Sequence, residues 1–215
     1  RRNALERCKA LSGDDAAAPD GVEFPAMPAA SLGTVRTVLG RYVRELAVHR
    51  DRARRARSSG PRIVVFPSNQ PWDAASNLRA WLVAPELEKL GWRVTIVPAM
   101  LTLAQRRRIL RLEQPDVILL QQTRHPLNDP RLYAPTPCVL DADDADYLDP
   151  KLTEHIAACA SSAAAVIGGS RFVAECLGKH NPNATVIWTC TPSLAPRPKT
   201  PPANRESIVA WAHAS

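Results

Sequence analysis

Pro137-Cys138-Val139-Leu140-Asp141-Ala142-Asp143-Asp144-Ala145-Asp146-Tyr147-Leu148 begins as a short apolar run and turns abruptly into carboxylates. In a chain that alternates strand and helix patterns, this reads as a buried strand emptying into an acidic loop at one edge of a sheet. Ligands of open parallel sheets collect outside the carboxyl ends of the strands, where Asp141, Asp143 and Asp144 would project.

The neighbouring segments supply the sheet. Upstream, Ile63-Val64-Val65-Phe66, Arg93-Val94-Thr95-Ile96-Val97 and Pro115 to Leu120 are apolar runs of buried parallel-strand type. Downstream, Ala165-Val166-Ile167 and Thr185-Val186-Ile187-Trp188 repeat the pattern. Helical spacing fills the intervals. Leu78, Trp81, Leu82, Leu87 and Leu90 are expected to face inward on one helix that Gly91 stops. Leu103, Ile109, Leu110 and Leu112 mark a second, with Arg106, Arg107, Arg108 and Arg111 on its outer side. A third is expected from about Pro150 to Ala160, with Asp149 as N-cap, and a fourth from Arg171 to Lys179 behind Ser170. Strands alternating with helices at these spacings predict an α/β fold, a Rossmann-like parallel sheet flanked by helices.

The flanks read differently. Residues 1–30 are an irregular or linker segment rich in Ala, Pro and Asp. Residues 31–60 form a helical arm, first amphipathic through Val35, Val38, Leu39, Tyr42, Val43 and Leu46, then arginine-rich. The apolar face must bury against the following domain or a partner. Ser58-Ser59-Gly60-Pro61 marks a boundary before the core domain of residues 61–190. Residues 191–206 are a proline-rich connector, and 207–215 begin another strand, the expected start of a second domain that this sequence does not contain.

Composition narrows the classes. The 215 residues are enough for one well-buried domain plus appendages, or for two small domains. Five arginines against one aspartate over residues 50–57 account for four of the seven net positive charges. That tract fits an anionic partner, an anionic membrane surface or a protein, or else a solvated helix end. With three Phe and three Tyr, and no aromatic–basic interleaving, nucleic acid is an unlikely partner. No apolar run approaches the roughly 20 residues that span a bilayer. The five cysteines are widely spaced and form no C-x-x-C pair, which argues for free thiols in a reducing cytoplasm and against a metal centre.

Several segments agree on one family. Ser76-Asn77-Leu78-Arg79-Ala80-Trp81 with Glu88-Lys89-Leu90-Gly91-Trp92-Arg93-Val94 resembles the opening of family-four glycosyltransferases of GT-B fold. Pro115 to Gln122, the cluster Asp141, Asp143 and Asp144, and Val166-Ile167-Gly168-Gly169-Ser170-Arg171 resemble later parts of the same N-terminal domain. Ile208 to Ser215 resembles the first strand of its second domain. The likeness covers about residues 62–215. It implies the acceptor-binding half of an enzyme that moves a sugar from a nucleotide-sugar donor to a sugar, lipid-linked or other acceptor, without a metal or other cofactor. It also implies a cytoplasmic place, peripheral at the inner membrane surface. A homo-oligomer is compatible with it. The sequence departs from the family in its first loop, Ser68 to Asp73, which has no glycine, and in His213, which stands where the family often has glycine.

Glycosyl transfer needs a proton taken from the acceptor hydroxyl and places positive charge on the sugar ring, so nearby carboxylates can orient or deprotonate the acceptor. Asp143 and Asp144, with His125 as a further base, are the catalytic candidates. Asn69, Asn77, Arg79, Gln122, Arg124, Asp141, Ser170 and Arg171 are the acceptor-binding candidates. The D-x-D-D run also admits a divalent ion held against phosphate, a receiver-like acidic pocket, or a solvated acidic loop. A non-catalytic ligand-binding or interaction module, with residues 31–57 as its docking helix, is the alternative reading of the whole chain.

Overall fold

The computed structural model describes residues 32–55 and 60–189. Expectations for residues 1–30, the connector 191–206 and the terminal strand 207–215 fall outside the described residues. The chain divides into two compact units, Arg1–Val38 and Leu39–Ser215.

Six strands make one all-parallel sheet: β1 (Arg62–Phe66), β2 (Arg93–Ile96), β3 (Val117–Gln121), β4 (Cys138–Ala142), β5 (Ala165–Gly168) and β6 (Ala184–Val186), in the order β2-β1-β3-β4-β5-β6. The α/β expectation is met. The chain steps one way from β1 to β2 and the other way thereafter, so right-handed crossovers force the helices onto opposite faces. The first crossover carries α2 (Ala74–Ser76), a π-helical turn (Asn77–Trp81) and α3 (Val83–Lys89). These cover Val65, Val94 and Leu119 on one face. The other face carries Val64, Phe66, Ile118, Leu120, Leu140 and Val166. Onto it pack α4 (Leu103–Glu113) through Ile109, α5 (Thr153–Ser162) through Ile156 and Cys159, and α6 (Arg171–Gly178) through Val173 and Leu177.

The amino-terminal arm is a 24-residue helix, α1 (Leu32–Arg55). From Leu39 onward it belongs to the same unit as the sheet. Val48 enters the core, and buried Glu45 takes Arg108 Nε and Nη2 and, at 2.9 Å, Gln105 Nε2. Arg108's hydrogen bond holds the Glu45 carboxyl below its usual pKa against the opposing effect of burial. The apolar stripe of the arm is not what packs. Leu39, Tyr42, Val43 and Leu46 are 54–65% exposed.

Three other local readings change. Leu82 and Leu90 are exposed rather than inward, because the π turn inserts an extra residue per turn and rotates the following face away from the sheet. Gly91 does end this helical segment, at φ +89°, a left-handed backbone angle that a side chain would strain. Asp149 caps a turn rather than the helix, accepting from Lys151 N at 2.9 Å, and α5 starts only at Thr153. Arg106, expected on the outer side of α4, is fully buried. Its Nη1 donates to Asn128 Oδ1 at 2.8 Å and Leu127 O at 3.2 Å, its Nη2 to Ala99 O at 2.9 Å, and its guanidinium lies 4.7 Å from the centre of the Phe66 ring. A helical period of 3.6 residues cannot keep three successive arginines on one face, and the first of them turns inward.

Candidate functional site

The order reverses between β1 and β3, and the crevice outside their carboxyl ends is where a doubly wound sheet takes ligands. The polar residues that end these strands are joined there. Gln121, buried at the end of β3, accepts at Oε1 from Ser68 N at 3.0 Å and Ser76 Oγ at 2.9 Å. Ser76 Oγ in turn accepts from Asn69 N at 3.0 Å. Gln121 Nε2 is buried with no partner among the described residues. Gln122 follows with φ 55°, which aims its amide across the edge. Its Oε1 accepts from Ser68 Oγ at 3.2 Å, and its Nε2 donates to Asp143 Oδ1. One continuous network therefore runs from Asn69, beside β1, to Asp143, beyond β4. Asp143 is held from behind as well. A Cβ at Gly169 would lie 2.7 Å from Asp143 Cα, so only glycine lets the β5 loop come so close.

The other carboxylates separate. Asp141 is buried and takes both Arg79 Nε, at 2.8 Å on Oδ2, and Arg79 Nη2. Arg79 Nη1 continues to Ile187 O at 3.0 Å and Thr189 Oγ1 at 2.8 Å. Burial opposes the charge on both partners. It raises the pKa of the Asp141 carboxyl against the opposing hydrogen bond and charge of Arg79. At Arg79 the hydrogen bonds and charge of Asp141 outweigh it and raise the guanidinium's pKa; the two-pronged contact is that of an ion pair. Asp144 is paired at the rim with Arg124, which also grips Asp146; the hydrogen bonds that Arg124 donates to Asp146 raise the Arg124 pKa.

The remaining candidates are used locally. His125 is turned toward Arg106: its Nδ1 accepts from Leu127 N at 3.1 Å, and burial, then the Arg106 charge, push its pKa down to about 4. It is neutral at physiological pH. Ser170 caps α6, its Oγ accepting from Val173 N at 3.2 Å, and Arg171 is exposed on the first turn. Asn77 closes the first loop by donating to Pro71 O at 2.7 Å.

Two clefts open beside this edge. One, of about 420 Å³, lies between α1 and the first loop and is walled by Trp72, Trp81, Asn69, Gln70, Arg44 and Glu88, among others. Trp72 is 78% exposed, and Trp81 Nε1 is buried there without an acceptor among the described residues. The second, of about 530 Å³, lies on the sheet face that α2 and α3 cover only in part, with Leu82, Val83, Ile167, Ile187 and Trp188 around the Arg79–Asp141 pair. Ser68, Ser76, Gln121 and the two tryptophans escaped the sequence reading. The glutamine pair closing an apolar strand was the one signal that pointed to them.

Compared with protein-family models, with curated proteins and with solved structures, the chain matches none. No helix among the described residues is long and apolar enough to cross a membrane.

Proposed function

We propose that this chain is the acceptor-side half of a glycosyltransferase, holding a saccharide acceptor for attack on a nucleotide-sugar donor carried by a second domain. The supporting observation is the Trp72–Trp81 cleft at the carboxyl edge, with amides, a cation and a carboxylate around two indole rings. Sugars offer apolar C–H faces to aromatic rings and hydroxyls to planar polar groups, so this mixture suits them better than a purely apolar ligand. Asn69 joins that cleft to the network ending on Asp143. In the transfer the acceptor hydroxyl gives its proton to a carboxylate, its oxygen bonds to the anomeric carbon, and the nucleoside diphosphate leaves with the electrons of the broken C–O bond. In this reading Asp143 takes that proton, and Asp144, tied to Arg124, is on the same loop.

Titration of the protein with a panel of mono- and oligosaccharides, read by tryptophan fluorescence, tests this. At least one saccharide is expected to shift the emission, and Trp72→Ala to weaken its binding about tenfold, the scale of one lost aromatic contact. Emission unmoved by the whole panel, or equal affinity in Trp72→Ala, overturns the reading.

The exposed stripe of α1 favours a second reading, a module that docks on an anionic membrane. Leu39, Tyr42, Val43 and Leu46 face solvent on a helix that also exposes Arg36 and Arg50 and runs into the arginine tract. Apolar insertion combined with basic charge is the chemistry of an interfacial helix. Co-sedimentation is expected with vesicles containing phosphatidylserine and not with pure phosphatidylcholine, and Leu39→Glu with Leu46→Glu is expected to abolish it. Absence of wild-type protein from both vesicle pellets rules this out.

A further inference from the structure

On the opposite sheet face from the Arg79–Asp141 pair, three side chains of different chemistry converge. Asp129 comes from the connection between β3 and β4, and His155 and Cys159 lie four residues apart on α5. Residues at that spacing share one helix face. One ligand atom from each lies within 4.8 Å of the other two. Cys159 Sγ and His155 Nε2 are 3.6 Å apart. A tetrahedral zinc ion with Zn–S of about 2.3 Å and Zn–N of about 2.05 Å separates its sulfur and nitrogen ligands by about 3.6 Å. Cys159 and Asp129 are buried, and His155 is half-buried.

We propose that Asp129, His155 and Cys159 form a zinc site, with three protein ligands and a fourth position for water. One sulfur, one nitrogen and one oxygen donor make a borderline-soft set that suits Zn²⁺ and disfavours Mg²⁺ or Ca²⁺. Binding replaces the Cys159 thiol proton, which is released to solvent, so the bound ligand is the thiolate. Arg131 holds the Asp129 carboxylate from the outer side. Its Nε lies 2.9 Å from Asp129 Oδ1 and its Nη2 2.6 Å from Oδ2, while its own side chain is 49% exposed. Asp129 Oδ1 also accepts from Arg131 N at 2.9 Å and Oδ2 from Arg131 Nε at 3.1 Å. The ion therefore takes one carboxylate oxygen in exchange for a guanidinium hydrogen bond, and the remaining bonds hold the carboxylate from outside. The ion would add a metal tie between α5 and the β3–β4 connection, which already share one core cluster through Tyr133 and Ile156. The site does not rest on the acceptor reading: Asp129 shares the β3–β4 connection with Gln122, Arg124 and His125, but none of the three ligands is an acceptor candidate, and the site is tested without any saccharide.

Cobalt(II) is the probe, because a thiolate ligand gives it a near-ultraviolet charge-transfer band and a tetrahedral field gives it intense visible bands. Wild-type protein, stripped with chelator and kept reduced, is expected to develop both with one equivalent of Co²⁺ and to lose both on adding one equivalent of Zn²⁺. Cys159→Ser is expected to lose the charge-transfer band. His155→Gln, at a half-exposed position that tolerates the change, is expected to keep the wild-type circular dichroism spectrum and bind Co²⁺ at least about 100-fold more weakly. No charge-transfer band in the wild type, a band that persists in Cys159→Ser, or unchanged affinity in His155→Gln overturns the proposal.

Discussion

Arg106→Ala is expected to lower the free energy of unfolding by about 4 kcal/mol, within the range seen when one partner of a buried charged network is removed. The side chain is fully buried, yet among the described residues no carboxylate pairs with it. Its charge is held instead by neutral acceptors: Ala99 O, Leu127 O, Asn128 Oδ1 and the Tyr133 hydroxyl. Burial lowers its pKa, and the Tyr133 hydroxyl partly offsets this. Truncation strands those acceptors and removes the cation from the Phe66 ring, which itself stacks on Tyr133 at 5.0 Å. The effect should spread to the site. Asn128 Nδ2 donates to Phe66 O, Gln121 O and Gln122 O, so Arg106 fixes the residue that fixes the ends of β1 and β3. Arg106→Lys keeps a charge but not the planar fork, and it is expected to recover less than half of the loss. Urea unfolding at neutral pH measures both. A loss under about 1 kcal/mol for the alanine variant would mean that the network does not hold the ends of β1 and β3.

The second large effect is expected at Asp141. Asp141→Asn leaves Arg79 buried against a neutral amide and should cost about 3–5 kcal/mol. Removing both charges together, as Arg79→Met with Asp141→Leu, should recover most of that loss, because two desolvated ions are replaced by apolar groups facing Leu119 and Ile167. The coupling between the two sites, taken from a double-mutant cycle, is therefore expected to be large and favourable to the native pair. Additive single and double effects would show that Asp141 and Arg79 do not stabilise one another. The pair also ties Ile187 and Thr189 to the π turn. Limited proteolysis near Thr189 should accelerate in Arg79→Met alone.

Much of the fold was legible because local patterns carry it. β1 reads as strand from four consecutive apolar residues, and β4 takes in the first of its carboxylates, Asp141, before it ends at Ala142. Ser170 marks a helix start by its hydroxyl, and Gly91 marks a helix end because it has no side chain to strain a left-handed backbone. The site was legible in part. Gln122 and Asp143 were named from their positions after β3 and β4, and the structure brings them together. His125 and Arg124 follow the same strand, yet one turns toward Arg106 and the other reaches the rim, because loop backbone rather than strand period directs them.

By itself the sequence determined the alternation of strands and helices, the parallel sheet, and which residues would lie at its carboxyl edge, since each follows from periodicities of a few residues. Tertiary structure alone decided the strand order, the partner of each acid, the inward turn of Arg106 and the solvent-facing stripe of α1. It alone brought Asp129 to His155 and Cys159. These depend on which long-range surfaces meet, and a residue's burial and charge environment come from neighbours that local sequence does not specify.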